Sequence, residues 1–302
     1  MELQTITIQG GQPGPRLLIT AGVHGDELEP VAAVQTLIRT IDRRTLRGQL
    51  TLVPCVNEAA FSRNSRVAED GLDLARICPG AAIGTISTQT AFAVGKLIRS
   101  SDYYIDLHTG GVLFRLLPLA GYMLHADSDI RDTQCRMARA FGMPLVWATS
   151  AALNGRTLSV ARDCSIPAIY AEFGGGGTFD QSAVDAYVVG CKNVMAEIGS
   201  LSAGEPPFSA QQQIVEDGRD RAGVLQIQHP SPVDGFFEPA VELGQTITAG
   251  ASIGSVVGIL GEIRADVRAA DSGLVVMLRE WRHVSIGDAL AAIASSTDGG
   301  ER

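Results

Sequence analysis

The sequence predicts an α/β protein with a mostly parallel sheet covered on both faces, followed by a small all-β domain. Three observations carry this. Between Arg16 and about Ser200, short β-rich runs alternate with longer helical segments. Beyond a stretch marked by Gly204, Pro206 and Pro207, helical periodicity is lost. The polar motifs of the first region sit where apolar runs end, which is where ligands collect in such sheets.

Leu17-Leu18-Ile19-Thr20 reads as the first strand. Val31, Val34, Leu37, Ile38 and Ile41 then recur at helical spacing, with Pro30 tolerated in the first turn. Leu50 to Val56 reads as a strand, Thr88 to Ile98 as a helix and Tyr103 to Leu107 as a third strand. Strands follow at Leu145 to Ala148 and Ile166 to Ala171, separated by a short helix around Leu158 to Ala161, and Val184 to Ile198 closes the region as a helix. Residues 200–210 read as a linker, which gives an expected catalytic domain at 1–205 and a β domain at 206–302.

In the second region Val224 to Ile227, Gly235 to Phe237, Thr246-Ile247, Ile253 to Val257 and Gly273 to Met277 read as short strands broken by glycines. The phrase from Glu242 to Gly250 is similar to the biotinyl and lipoyl carrier fold. A carrier needs a lysine at its hairpin tip, and the only lysines are Lys96 and Lys192, so carrier function is excluded.

The chain has 302 residues, enough for a substantial core, and its 45% hydrophobic and 19% charged residues suit a globular protein. A net charge of -9 argues against nucleic acid as the partner. Five scattered cysteines (Cys55, Cys78, Cys135, Cys164, Cys191) read as reduced thiols, not a disulfide framework. No signal-peptide pattern and no apolar run of about 20 residues is present, so a cytoplasmic enzyme without membrane contact is expected.

The chemistry is concentrated in three motifs. Ala21-Gly22-Val23-His24-Gly25-Asp26-Glu27 puts an imidazole and a carboxylate three residues apart where a strand passes into a helix. Asp106-Leu107-His108 ends a second strand. Two histidines and one carboxylate match a catalytic zinc site, with the fourth position open, whereas a structural site would be closed, usually by cysteines. Alone, His24 reads equally as a turn residue and Glu27 as a charge favouring a helix N-terminus; together with His108 they read as ligands. Asp106 is read as holding a ligand imidazole or water. Tyr170-Ala171-Glu172-Phe173 precedes four glycines. A carboxylate ending a buried strand is costly unless it has work or a partner, and beside a metal Glu172 reads as the general base that moves a proton from water to the leaving nitrogen. The glycines allow close approach of backbone or substrate. His125, His229 and His283 read as packing or surface residues, and Cys164 as core.

These motifs, in this order, resemble the succinylglutamate desuccinylase/aspartoacylase family, relatives of the zinc carboxypeptidases, over nearly the whole chain. The resemblance implies a carboxypeptidase-like α/β/α sandwich, one zinc ion per chain held by His24, Glu27 and His108, Glu172 as catalytic base, and hydrolysis of an N-acyl amide on an amino acid or close relative. Members usually carry an arginine and then an Asn-Leu-Asn-Arg phrase. Here Arg66 is followed by Asp73-Leu74-Ala75-Arg76, so both asparagines are replaced. On this pattern Arg66 faces the scissile carbonyl, Arg76 anchors a substrate carboxylate through its planar fork, and Asp73 beside it alters the preferred substrate. Arg162, ten residues before Glu172, matches a substrate-binding arginine of some relatives. The expected partner is a small acylated molecule. The β domain is expected to shape the site's mouth or to join copies of the chain into a homo-oligomer. A peptidase acting on short peptides and a non-catalytic zinc-containing binding protein are the competing readings.

Overall fold

A computed structural model describes residues 2–209, 211–220 and 222–295. Ala210, at the end of the expected linker, and residues 296–302 of the expected β domain lie outside the described residues, as do Met1 and Arg221. In chain order the elements are β1 (Ile6–Gln9), β2 (Gln12–Thr20), α1 (Leu28–Thr40), β3 (Arg47–Val53), α2 (Glu58–Phe61), α3 (Leu74–Ile77), α4 (Ile86–Arg99), β4 (Tyr103–His108), β5 (Phe114–Leu124), α5 (Ser128–Phe141), β6 (Leu145–Ser150), α6 (Thr157–Asp163), β7 (Ala168–Gly175) and α7 (Gln181–Glu197). The described residues that follow form β8 (Gln213–Asp217), a 3-10 turn (Leu225–Ile227), β9 (Gly235–Pro239), β10 (Thr246–Ile247), β11 (Ser252–Val257), β12 (Ile263–Arg268), β13 (Gly273–Arg279), β14 (His283–Val284) and β15 (Ala291–Ala294). The strand expected at Val224 to Ile227 is therefore a helical turn.

The principal sheet is mixed and has eleven strands. At its centre β3, β2, β4 and β7 run parallel. β5 runs antiparallel to β7, and β6 and β8 extend the sheet in parallel from β5. Apolar faces of α1, α5 and α7 cover one side, where Val34, Leu37, Phe141 and Tyr187 pack under Ile19, Ile105 and Ile169. On the other side α3, α4 and α6 bring Leu74, Val94, Ile98 and Val160 against Leu18, Val53 and Tyr104. Each such side chain stabilises the fold by roughly 1.5–3 kcal/mol through burial.

Helix ends follow from local chemistry. The Asp127 carboxylate accepts the N–H groups of Asp129 and Ile130 at the start of α5, and Gly142 closes it at φ 86°. Thr85 caps α4, and Lys96 and Arg99 lie in its last turn, the favourable end for cations.

β5 joins the two halves of the chain. Its first residues pair with β13, Leu116 facing Met277, while its later residues pair with β6. β13 in turn pairs with β10 and β15, and a second, four-stranded sheet runs β12-β11-β9-β14. No helix among the described residues is long and apolar enough to cross a membrane.

Gly121 lies opposite Tyr170 in the β5–β7 ladder, and a Cβ added there would sit 2.3 Å from Tyr170 Cζ and 2.5 Å from its Oη. The tyrosine ring thus needs a residue without a side chain beneath it. Gly121→Ala is expected to destabilise the protein by about 1–3 kcal/mol, measured by urea denaturation; an unchanged midpoint would show that the ring is free to move.

Candidate active site

Because β2, β4 and β7 are parallel neighbours, the residues at their carboxyl ends share one edge of the sheet. Thr20 lies opposite Asp106, Asp106 opposite Tyr170, and His108 opposite Glu172. Past the end of β2 the chain turns into α1, placing His24 in the turn and Glu27 as the residue that precedes the helix. Glu27 makes no side-chain cap. Its carboxylate turns inward instead, with Oε1 2.6 Å from His24 Nδ1 and Oε2 3.0 Å from His108 Nδ1.

The far nitrogen of each ring has its own carboxylate. His24 Nε2 lies 3.3 Å from Asp73 Oδ1, and His108 Nε2 lies 3.2 Å from Asp106 Oδ2. A carboxylate accepts only, so each ring between two acids offers a proton on both sides, and a cation bound among His24, Glu27 and His108 would replace the Nδ1 proton and leave Nε2 donating to the acid behind it. Potential ligand atoms of His24, Glu27 and His108 lie within 4.8 Å of one another. This donor set, two imidazoles and one carboxylate, is that of a catalytic zinc site, and the residues fit the ion.

Electrostatics point the same way. Burial would raise the Glu27 carboxyl, yet the charges and hydrogen bonds of His24 and His108 hold it far below its ordinary range. Burial would lower His108, but Asp106 and Glu27 raise it well above the usual histidine value. Buried acids thus outnumber fixed positive charges, and a bound cation would compensate them in place of a proton on His108.

Asp106 is fully buried and accepts hydrogen bonds from Thr20 Oγ1 at 2.7 Å and from Thr157 Oγ1. The Tyr104 hydroxyl lies 2.7 Å from Thr20 Oγ1 and completes the chain of bonds. From the opposite helix layer the Tyr187 hydroxyl donates to the carbonyls of His108, at 2.5 Å, and Phe173, at 3.2 Å, tying the ends of β4 and β7 together.

Glu172 Oε2 is buried without a hydrogen-bond partner among the described residues. Burial pushes its carboxyl up to about 8, against the lowering charge of His108. Of the four glycines after it, Gly175 serves close backbone packing: a Cβ there would meet Phe114 O at 2.4 Å, and its φ is +98°.

One cavity is lined by His24, Glu27, Arg66, Arg76, His108 and Glu172. Asp73 and Asp106 stand behind the two histidines. Arg66 lies between acids, with Nη2 2.9 Å from Asp73 Oδ2 and Nη1 3.8 Å from Glu27 Oε1. Asp73, read from sequence as touching substrate, thus spends its two oxygens on His24 and Arg66. Arg162 is not brought to the cavity. Its guanidinium bonds to the carbonyl of Ala151 and to Asn154, and it pairs with Asp163. The reason is direction: α6 starts at the carboxyl edge of the sheet and runs away from it, so Arg162 lies ~9 Å further down the axis than the residue at its start. That residue, Arg156, is in the cavity wall. Sequence reading missed it, together with Tyr170, Gln226 and Met277, which also line the cavity.

The remaining histidines fall where packing predicts. The ring of His125, just past β5, accepts the Asp127 N–H, and His229 is held by Ala291 O and Ala270 N. Cys164, expected in the core, is instead exposed: it follows the last turn of α6 and lies outside the cavity.

The fold has relatives among known proteins. The model of the succinylglutamate desuccinylase/aspartoacylase catalytic domain matches residues 13–198. An N-alpha-acetyl-L-2,4-diaminobutyric acid deacetylase of Halomonas elongata is 29% identical over 296 residues, which span 96% of this chain and 84% of that protein. Among solved structures, a succinylglutamate desuccinylase from Silicibacter sp. TM1040 is 25% identical with a TM-score of 0.85, covering 96% of this chain and 87% of its own. The product-bound ectoine utilization protein EutE (DoeB) from Ruegeria pomeroyi shares the fold at 24% identity, with a TM-score of 0.87 over 97% of this chain and 88% of its own.

Thr157→Val removes one of the two hydroxyl donors to the buried Asp106 carboxylate. A hydrogen bond to a charged group contributes about 1.5–3 kcal/mol, so a stability loss of that order is expected in thermal or urea unfolding; full stability would mean that Asp106 does not depend on this donor.

Proposed function

As the chain belongs to the succinylglutamate desuccinylase/aspartoacylase family, we propose that it is a zinc-dependent hydrolase cleaving the amide of an N-acylated amino acid or related small amine. His24, Glu27 and His108 would hold one ion per chain. The observation that carries this reading is the unpartnered carboxylate oxygen of Glu172 on the strand position beside His108. Kinship with the H. elongata deacetylase supports the substrate class and makes an N-acetylated diamino acid the first compound to try.

When bound, zinc supplies a Lewis acid for the carbonyl and lowers the pKa of water from about 15.7 to about 7. Glu172 takes a proton from the attacking water as the new C–O bond forms. It returns the proton to the nitrogen as the C–N bond breaks, releasing an acyl carboxylate and an amine. Its raised proton affinity, a consequence of burial, suits both halves of that transfer. Arg66, fixed by Asp73, meets the carbonyl oxygen where negative charge develops. Arg76 and Arg156 offer positive charge to the substrate carboxylate. Asp73 and Asp106 hold the imidazoles in the tautomer that leaves Nδ1 free to ligate. We take residues 1–205 as the catalytic unit and 206–302 as a β unit that closes the wall with Leu225, Gln226 and Met277.

With N-acetyl-L-2,4-diaminobutyrate, N-acetyl-L-aspartate and N-succinyl-L-glutamate as substrates, Glu172→Gln is expected to lower kcat by about 100-fold or more. Zinc content measured by mass spectrometry should stay near one per chain, and chelation should abolish wild-type turnover. Undiminished turnover by zinc-free protein would sink the proposal.

A further inference from the structure

Ala75 precedes Arg76 and offers no side-chain donor beside it. An amide nevertheless stands beside Arg76, brought from 150 positions further along the chain. Arg76 Nη2 donates to Gln226 Oε1 at 2.5 Å, and Nη1 donates to Ala75 O at 2.8 Å. These bonds use two of the five N–H donors of the fork. A guanidinium never accepts, so the Gln226 atom that faces it is the oxygen, and this fixes the amide's orientation. Its NH2 group has no partner among the described residues. Both side chains line the cavity that holds Glu172. The segment bearing Gln226 is held at a second point, where Arg156 Nη2 donates to Gly223 O at 2.8 Å.

We propose that Arg76 and Gln226 together form the carboxylate-binding subsite, with Gln226 supplying from the strand-rich C-terminal region the amide donor that position 75 lacks. A carboxylate has two oxygens and accepts from several donors at once. The remaining N–H groups of the arginine fork and the amide NH2 form such a set, and bonds to an ionised acceptor are the stronger kind. The ligand is the carboxylate of an N-acyl amino acid, and in naming it the inference rests on the deacylase reading. The competing role for Gln226 is mechanical: an oxygen that merely holds Arg76 in place. The two roles differ in which end of the amide matters.

Gln226→Glu keeps an oxygen for Arg76 while removing the NH2 group and adding a negative charge, and Gln226→Ala removes the NH2 group without that charge, so the two variants are read together. The three N-acyl amino acids named above, and their α-carboxamide counterparts, would be titrated by calorimetry into zinc-loaded protein carrying Glu172→Gln, so that no probe is consumed. Gln226→Glu and Gln226→Ala are each expected to weaken the best-binding acid by about tenfold or more, to leave carboxamide binding within about twofold, and to leave the unfolding temperature unchanged. With Glu172 intact, KM should rise while kcat stays within about twofold. The proposal is overturned if Gln226→Glu binds the acid as tightly as its parent, or if no acid binds better than its carboxamide. Failure of the deacylase reading looks different: the acid binds in a Gln226-dependent way and is never hydrolysed.

Discussion

Burial of acid at the carboxyl edge of the central strands is the constraint on which this site depends. Glu27 and Asp106 are 1% and 0% exposed, and an ionised carboxylate in such a place is tolerated only when paired and hydrogen-bonded. Each oxygen of Glu27 faces one imidazole, and each imidazole is backed by another acid. Local pairs, His24 with Glu27 and Asp106 with His108, meet only part of the need, and the remaining partners join the turn after β2 to β4 and to the segment before α3. Parallel pairing of β2, β4 and β7 brings them within reach. The sheet and the charge cluster therefore depend on each other: a one-residue slip of β4 would move Asp106 and His108 to the opposite face, leaving Glu27 buried with half its partners.

That dependence explains what the sequence disclosed. Strands that are buried on both faces read as continuous apolar runs, so β2, β4 and β6 are visible, and a buried acid or imidazole at the end of such a run stands out. β5 does not. Phe114–Leu124 contains Pro118 and Gly121, the first at a register shift against β7 and the second under the Tyr170 ring, and each breaks the strand pattern for a reason that exists only once β7 is alongside. α5 is hidden differently: its fourteen residues are largely polar, and its buried stripe is only Gln134, Met137, Ala138 and Phe141. At the site, motif spacing pointed to two histidines and three acids that the fold brings together, whereas the ten-residue spacing to Glu172 that pointed to Arg162 says nothing of the direction of α6, which puts Arg156 in the wall instead.

The second half of the chain was the least legible in function, and the reason is topological. Its strands bury Leu274, Val276 and Met277 against Leu116, Leu119 and Trp147 of the α/β sheet. β5 serves both partners at once, pairing with β13 at its start and β6 at its end. Short glycine-broken strands announce a β fold without announcing which surface they will join. Once β13 is seated, the 3-10 turn at Leu225–Ile227 lies against the cavity, and residues distant in sequence become wall.

Charge gives that wall a direction. Arg66, Arg76 and Arg156 all line the cavity, and the charge of Arg66 weakens the hold of the other two on their protons. Burial lowers Arg76 to about 10, with Arg156 and Arg66 pushing the same way and Asp73 opposing. Arg156 is likewise lowered by burial, while Glu172 and Asp73 support its charge. Asp73 cannot neutralise all three, since one of its oxygens is committed to His24 and the other to Arg66. Arg76 and Arg156 have no carboxylate within ion-pair distance among the described residues, so their part of the wall has positive charge to offer an anion.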